Sequence, residues 1–171
     1  TGNVAIGTYD DVNLQPLKSN TTGSKNIAIG TGSMSSNTTA SFNTSVGYDS
    51  LGACTTGASN TTFGFEAGEA VTTGTGTTAV GSQAGQEITT GNFNTCVGIV
   101  AGATISTGSK NLCLGYDAGT SGSPNHVTTG DNAIVLGNNA TASAHIRVDW
   151  TVTSDKRDKT DIEPLTMGLD F

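Results

Sequence analysis

Ser154 and Lys159 stand five residues apart, a serine hydroxyl and an amine close enough in sequence to act together. A serine attacks only when a partner takes its proton, and a lysine can be that partner only if burial lowers its pKa. The same residues have a plainer reading, in which Ser154 caps a helix whose first turn carries Asp155 and Asp158. A second set is Glu66, Glu69 and Glu87. Glycoside hydrolysis needs two carboxylates facing a sugar across roughly 5–10 Å. In the repeat described below, Glu66 aligns with Gln83, Glu69 with Gln86 and Glu87 with Ala70, and no cluster of aromatics accompanies them to stack sugars. They read as surface carboxylates. Cys54, Cys96 and Cys113 are odd in number and lack CxxC or Cys/His spacing, so no metal site is expected, and no cofactor.

The scaffold that must position these residues is unusual. Apolar residues make up 34% of the 171 and charged ones 12%, against a common apolar share of roughly 45–50%. Gly, Thr, Ser and Asn fill the balance. Such a chain cannot enclose a thick core. Disorder normally comes with high charge and many prolines, whereas this sequence has three prolines and regularly spaced Val, Ile and Leu. Thin stacked layers are the expected solution. The net charge is −7, and residues 1–146 hold only Lys18, Lys25 and Lys110 as fixed cations. An acidic body without a basic stripe argues against a nucleic-acid surface. No apolar run approaches the ~20 residues of a bilayer span, so membrane insertion is not expected. Thr1 opens the chain with no signal-like segment after it, the pattern of an excised fragment.

Self-similarity organises everything else. Asn-x-small-apolar-Gly recurs as NVAIG (3–7), NIAIG (26–30), NTSVG (43–47), NTTFG (60–64), TTAVG (77–81), NTCVG (94–98), NLCLG (111–115) and AIVLG (133–137). The closing glycines are separated by 23, 17, 17, 17, 17, 17 and 22 residues. Small residues follow three positions later (Ser33, Ser50, Ala67, Ala84, Ala101, Ala118), then Met34 and Leu51 give way to Gly68, Gly85, Gly102 and Gly119. Seven after the glycine stand Asn37, Cys54, Val71, Ile88 and Ile105, ahead of a Thr-Thr-Gly turn. The two longer spacings place insertions near Tyr9–Asn20 and Tyr116–Val127, the second with Pro124, Asn125 and His126.

Seventeen residues are too few for a helix hairpin, and no 3.6-residue period is present. Two short strands and two Gly-rich turns per unit fit, in an all-β parallel solenoid of about eight coils. Within the motif, positions two and four share one face and position three takes the other. The larger residues at position four (Ile29, Val46, Phe63, Val80, Val97, Leu114) are expected inside each coil. The small third column (Ala28, Ser45, Thr62, Ala79, Cys96, Cys113) is then expected to face a neighbouring chain or solvent. Asn26, Asn43, Asn60, Asn94 and Asn111 form a column expected to bond to turn backbone or to one another, which also explains their chance matches to glycosylation sites. Cys96 and Cys113 should stack, close enough for a disulfide. Cys54 reads as a small core residue.

The NTAIG-type motif with its Thr-Thr-Gly turn resembles the head repeats of trimeric bacterial adhesins, which are left-handed parallel β-rolls with three chains side by side. The resemblance covers residues 3–137. Residues 138–153 form a connecting segment that alternates as a strand over 145–153 and holds the single tryptophan, Trp150. From Ser154 the chain resembles the intramolecular chaperone of phage tailspikes, endosialidases and neck appendages. Ser154, Asp155, Arg157, Lys159 and Ile162 match its opening Ser-Asp-x-Arg-x-Lys-x-x-Ile, and GLDF at 168–171 continues the likeness.

That second resemblance implies an α-rich chaperone beginning at 154–171. It also implies self-cleavage between Thr153 and Ser154 in a full-length precursor, with the Ser154 hydroxyl as nucleophile and Lys159 as base. It is a single-turnover event that needs the rest of the chaperone; the protein is otherwise not expected to be an enzyme. Together the resemblances imply a segment of a viral tail fibre on the virion surface. It would be homotrimeric, contacting other tail or fibre proteins and a host-surface glycan or protein, with no nucleic acid and no membrane partner. The alternative is the head of a bacterial trimeric surface adhesin, which predicts a coiled-coil stalk and membrane anchor where this sequence enters the chaperone signature.

Overall fold

The computed structural model describes residues 2–8, 15–123 and 125–143. The chain divides into two compact units, Thr1–Thr141 and Ala142–Phe171, and almost all of what can be described belongs to the first. Among the described residues the regular structure is all strand: β1 (Val4–Ile6), β2 (Ile27–Ile29), β3 (Thr44–Val46), β4 (Thr61–Phe63), β5 (Thr78–Val80), β6 (Thr95–Val97), β7 (Leu112–Leu114) and β8 (Ile134–Leu136). They form one parallel sheet in chain order, and equivalent motif positions pair without slippage, Val80 with Val97 and Val97 with Leu114. The first unit is a β-solenoid.

Each repeat contributes one three-residue strand instead of the expected two. The reason lies in the backbone after the motif glycine. The glycines at 30, 47, 64, 81, 98 and 115 turn the corner with φ of 106–144°. Two residues later Asp49, Glu66, Gln83, Val100 and Asp117 are left-handed at φ 48–58°. Two further on Met34, Leu51, Gly68, Gly85 and Gly102 are left-handed again at 50–60°. Alternating left-handed residues cannot extend into a strand. Even so, this wall is laddered: Leu51 N–H donates to Ala67 O (3.0 Å) and Gly68 N–H to Ala84 O (2.9 Å). Thr55 N–H donates to Thr72 O (3.0 Å) and Thr72 N–H to Thr89 O (2.9 Å). Main-chain bonding to the next turn therefore continues along walls that carry no strand, as a chain with so little apolar mass requires.

The facing of the motif is opposite to the sequence expectation. Ala28, Ser45, Thr62, Ala79, Cys96 and Cys113 are completely buried, whereas Phe63, Val80, Val97 and Leu114 are exposed and Ile29 and Val46 half-buried. The interior is narrow. It is filled from the far wall by Met34, Leu51, Val71, Ile88 and Ile105, all at 0% exposure. Those side chains reach across to the strand, and only a small residue fits between. Beside Ala79, for instance, Gly85 lies so close to the Ile88 Cδ1 and Cys96 Sγ that an added methyl would sit 2.9 and 3.6 Å from them. Cys54 is buried in this core as expected, and burial pushes its thiol up to about 11.

The asparagine column is buried, and each side chain both donates to and accepts from the backbone of the following turn. Asn43 Nδ2 donates to Gly57 O (2.9 Å) while Asn43 Oδ1 accepts from the N–H of Asn60 (2.7 Å). The pattern repeats for Asn26, Asn60, Asn94 and Asn111. Thr77 interrupts it. Its Oγ1 is buried without a partner, and it is too short to reach the Gly91 carbonyl or the Asn94 N–H. Thr77→Asn should complete the column and raise stability by about 1–2 kcal/mol, two added bonds at roughly 0.5–1.5 kcal/mol each. Thermal unfolding of the two proteins side by side measures it.

Candidate functional site

Because position three points inward, positions two and four both point out, and they are mostly apolar. Position two carries Val4, Ile27, Leu112 and Ile134 with four threonines between; position four runs Ile6, Ile29, Val46, Phe63, Val80, Val97, Leu114, Leu136. The columns on either side continue the character. One residue before the motif stand Phe42 and Phe93; one residue after its glycine stand Tyr48, Phe65, Ile99 and Tyr116. Every exposed large hydrophobic among the described residues belongs to these four columns, from Val4 (43%) and Ile6 (57%) to Ile134 (65%) and Leu136 (47%). Among the described residues the other sides of the solenoid have none. Seven strand steps of about 4.8 Å make the strip roughly 34 Å long, and it is the kind of contiguous apolar surface that marks a contact site.

The borders of the strip are ordered. Tyr48 and Phe65 stack with centroids 5.6 Å apart and planes 13° from parallel. Across the strip, Lys25 Nζ lies 4.9 Å from the Phe42 ring centroid, a cation–π contact. The Phe93 ring lies against Gly76, where an added Cβ would meet it at 2.7 Å. Phe42 and Phe93 hold left-handed backbone (φ 64° and 58°) while 57% and 60% exposed. Bulky residues rarely accept that conformation; here it goes with ladder bonds to the preceding turn, Phe42 N–H to Ser24 O (3.1 Å) and Phe93 N–H to Thr75 O (2.8 Å).

The acidic residues lie just beyond the aromatic border. Asp49 and Glu69, with Ser35, Ser36, Gly52, Ala53 and Ala70, line a groove of about 410 Å³. Glu66 Oε2 accepts from Gln83 Nε2 and Gln86 Nε2, both at 2.9 Å, and Gln86 Nε2 also reaches Glu69 Oε2 (2.9 Å). Desolvation, then the charges of Glu69 and Glu66, hold the Asp49 carboxyl above its ordinary range. Glu87 is exposed. Two glutamines thus hold Glu66 and Glu69 as a fixed ladder, which leaves the surface reading of these carboxylates as the simplest one. Among the described residues no cluster of three metal-ligating side chains occurs.

Cys96 and Cys113 are register partners, as their spacing predicted, and both are free thiols. Ser154 and Lys159, the Thr153–Ser154 bond at which cleavage is expected, the strand expected at 145–153 and Pro124 of the second insertion lie outside the described residues. Of that insertion, Asn125 and His126 are exposed. The apolar strip is what sequence reading missed. Its mark is present in the sequence: through Phe42, Thr44, Val46 and Tyr48, or Phe93, Thr95, Val97 and Ile99, alternate residues are β-branched or aromatic across seven positions. No protein-family model, curated protein or solved structure matches the chain.

Proposed function

We propose that this chain is a structural and receptor-binding segment of a homotrimeric viral tail fibre, its three solenoids packed along the apolar strip. The observation that carries the reading is the confinement of all large exposed apolar residues, among the described ones, to one strip running the length of the sheet. A copy of this chain is the partner whose side chains repeat at the same interval, so every turn can meet its equivalent. Three chains, and not two, come from the likeness of the NTAIG-type repeat to adhesin heads. The viral setting comes from the likeness of residues 154–171 to the tail-fibre chaperone. In this reading the precursor trimerises through that chaperone, Ser154 attacks the Thr153 carbonyl with Lys159 as base, and the fibre is left without the element that aligned it. The reading supplies a reason for such a chaperone, since a repeated strand pattern tolerates slipped pairings. Contacts with host glycans or proteins would then fall to the surfaces the strip leaves free, including the loop of Asn125 and His126.

Oligomeric state tests it. The wild-type chain is expected at three times the monomer mass by light scattering. Val80→Asp with Val97→Asp should reduce it to monomer with an unchanged far-UV spectrum, because both side chains point away from the interior. A wild-type monomer at micromolar concentration overturns the proposal. Expression through the complete C-terminus, with and without Ser154→Ala, tests maturation: the wild type should yield two bands and the variant one.

A further inference from the structure

The three cysteines divide into one inert thiol and one facing pair. Cys54 is alone, its sulfur donating to Gly57 O at 3.3 Å. Cys96 and Cys113 occupy the same inward position on β6 and β7 and are paired Cα to Cα. A disulfide needs Cα atoms about 4.4–6.8 Å apart, and neighbouring strands stand about 4.8 Å apart, so the backbone already lies within range. The surroundings hold both sulfurs in one shaft. A side chain at Gly102 would run into the Cys96 sulfur and one at Gly119 into the Cys113 sulfur. Earlier in the stack the equivalent positions carry Met34 and Leu51, so the sulfurs occupy room that glycine leaves open. Both cysteines are completely buried. The pair also sits where the spacing of closing glycines changes from 17 to 22, at the start of the second insertion.

We propose that Cys96 and Cys113 are an oxidisable staple, forming an intrachain disulfide that locks β6 to β7 ahead of the insertion. The co-reactant is a low-molecular-weight disulfide. During local opening the Cys113 thiolate attacks one sulfur of that molecule, expelling its other half as a thiolate and leaving a mixed disulfide. Cys96 then gives up its proton and attacks the Cys113 sulfur, expelling the second small thiol. Two protein thiols are oxidised and one small disulfide is reduced to two thiols. Cys113, whose thiol is lowered beside Cys96 while that of Cys96 is raised, is the more acidic first attacker; the reverse order gives the same disulfide. The inference stands apart from the fibre reading, and either can fail alone.

The test uses the full chain, reduced or equilibrated with oxidised glutathione, with thiols counted after denaturation. The count should fall from three to one, and digestion without reductant should yield a linked peptide containing Cys96 and Cys113. The oxidised protein should melt several degrees higher, reversed by dithiothreitol. Cys96→Ala, a residue found in the same column at Ala28 and Ala79, should abolish both the link and the shift. Three persisting thiols, a stable glutathione adduct on Cys113, or cross-links between chains would each overturn the proposal. The thiol count on the wild type decides the matter whether or not the variant folds.

Discussion

Gly81→Ala should lower stability by about 3–5 kcal/mol and the melting temperature by roughly 10 °C or more. Gly81 turns the corner after β5 at φ 132°, a region that residues with a Cβ avoid at a cost of about 1–3 kcal/mol. The added carbon would also stand 2.5 Å from the Gly98 carbonyl oxygen and 2.7 Å from its carbon. Those are main-chain atoms of the next turn, and they cannot step aside without breaking the ladder. Gly130→Ala is the control, because a Cβ there meets nothing within 4 Å and the residue does not need left-handed backbone. Its melting temperature should stay within about a degree or two of wild type, since surface changes usually cost under 0.5 kcal/mol. Equal losses at the two positions would mean that stacked corners are not what confines position five of the motif to glycine.

Asn60→Ala should cost about 2–4 kcal/mol, from two buried main-chain groups left without partners at roughly 1–3 kcal/mol each. Asn60 Nδ2 satisfies Gly74 O at 2.9 Å and its Oδ1 accepts from Thr77 N–H at 2.8 Å. Neither group can reach water once the side chain is cut back, because the site is fully buried. Asn60→Asp separates the two bonds. It keeps the acceptor for Thr77, but its ionised form points a negative oxygen at the Gly74 carbonyl. Only a protonated carboxyl could donate there, so the folded-state pKa of the new group is raised. Its stability relative to wild type should therefore recover as pH falls and worsen as pH rises through that raised value. Urea unfolding at several pH values measures this. A loss at Asn60→Asp that does not change with pH would show that the amide's donation to Gly74 is not what the site needs.

The sequence made the stacking legible and the facing illegible, for physical reasons that can be named. Five successive intervals of 17 and the asparagine column set the register, and Cys96 opposite Cys113 followed from them. The assignment of inside and outside failed because it ranked side chains by size. In a wide core the larger apolar residue is the buried one. Here the interior is barely one side chain across, and what identifies the inner column is uniformity. Position three stays among Ala, Ser, Thr and Cys from β1 to β7, whereas position four drifts from Val to Phe without penalty. The aromatic Phe63 could not have fitted opposite Gly68 and Val71. Asparagine at position one shares the parity of position three, so its need for turn carbonyls already placed that parity inside. The second strand failed for another reason. Val100 and Leu51 give no local hint that they adopt left-handed backbone, and that conformation is imposed by the turn above and below.

Strictly sequential pairing from β1 to β8 has a mechanical consequence. The ladder bonds run along the solenoid, so a pull on its two ends falls on every junction equally and one after another, as in links of a chain. Strength under tension is then set by the poorest single junction and not by the sum. Thr77, where the asparagine column breaks, makes the junction between β5 and β6 the place where such a rod would part first.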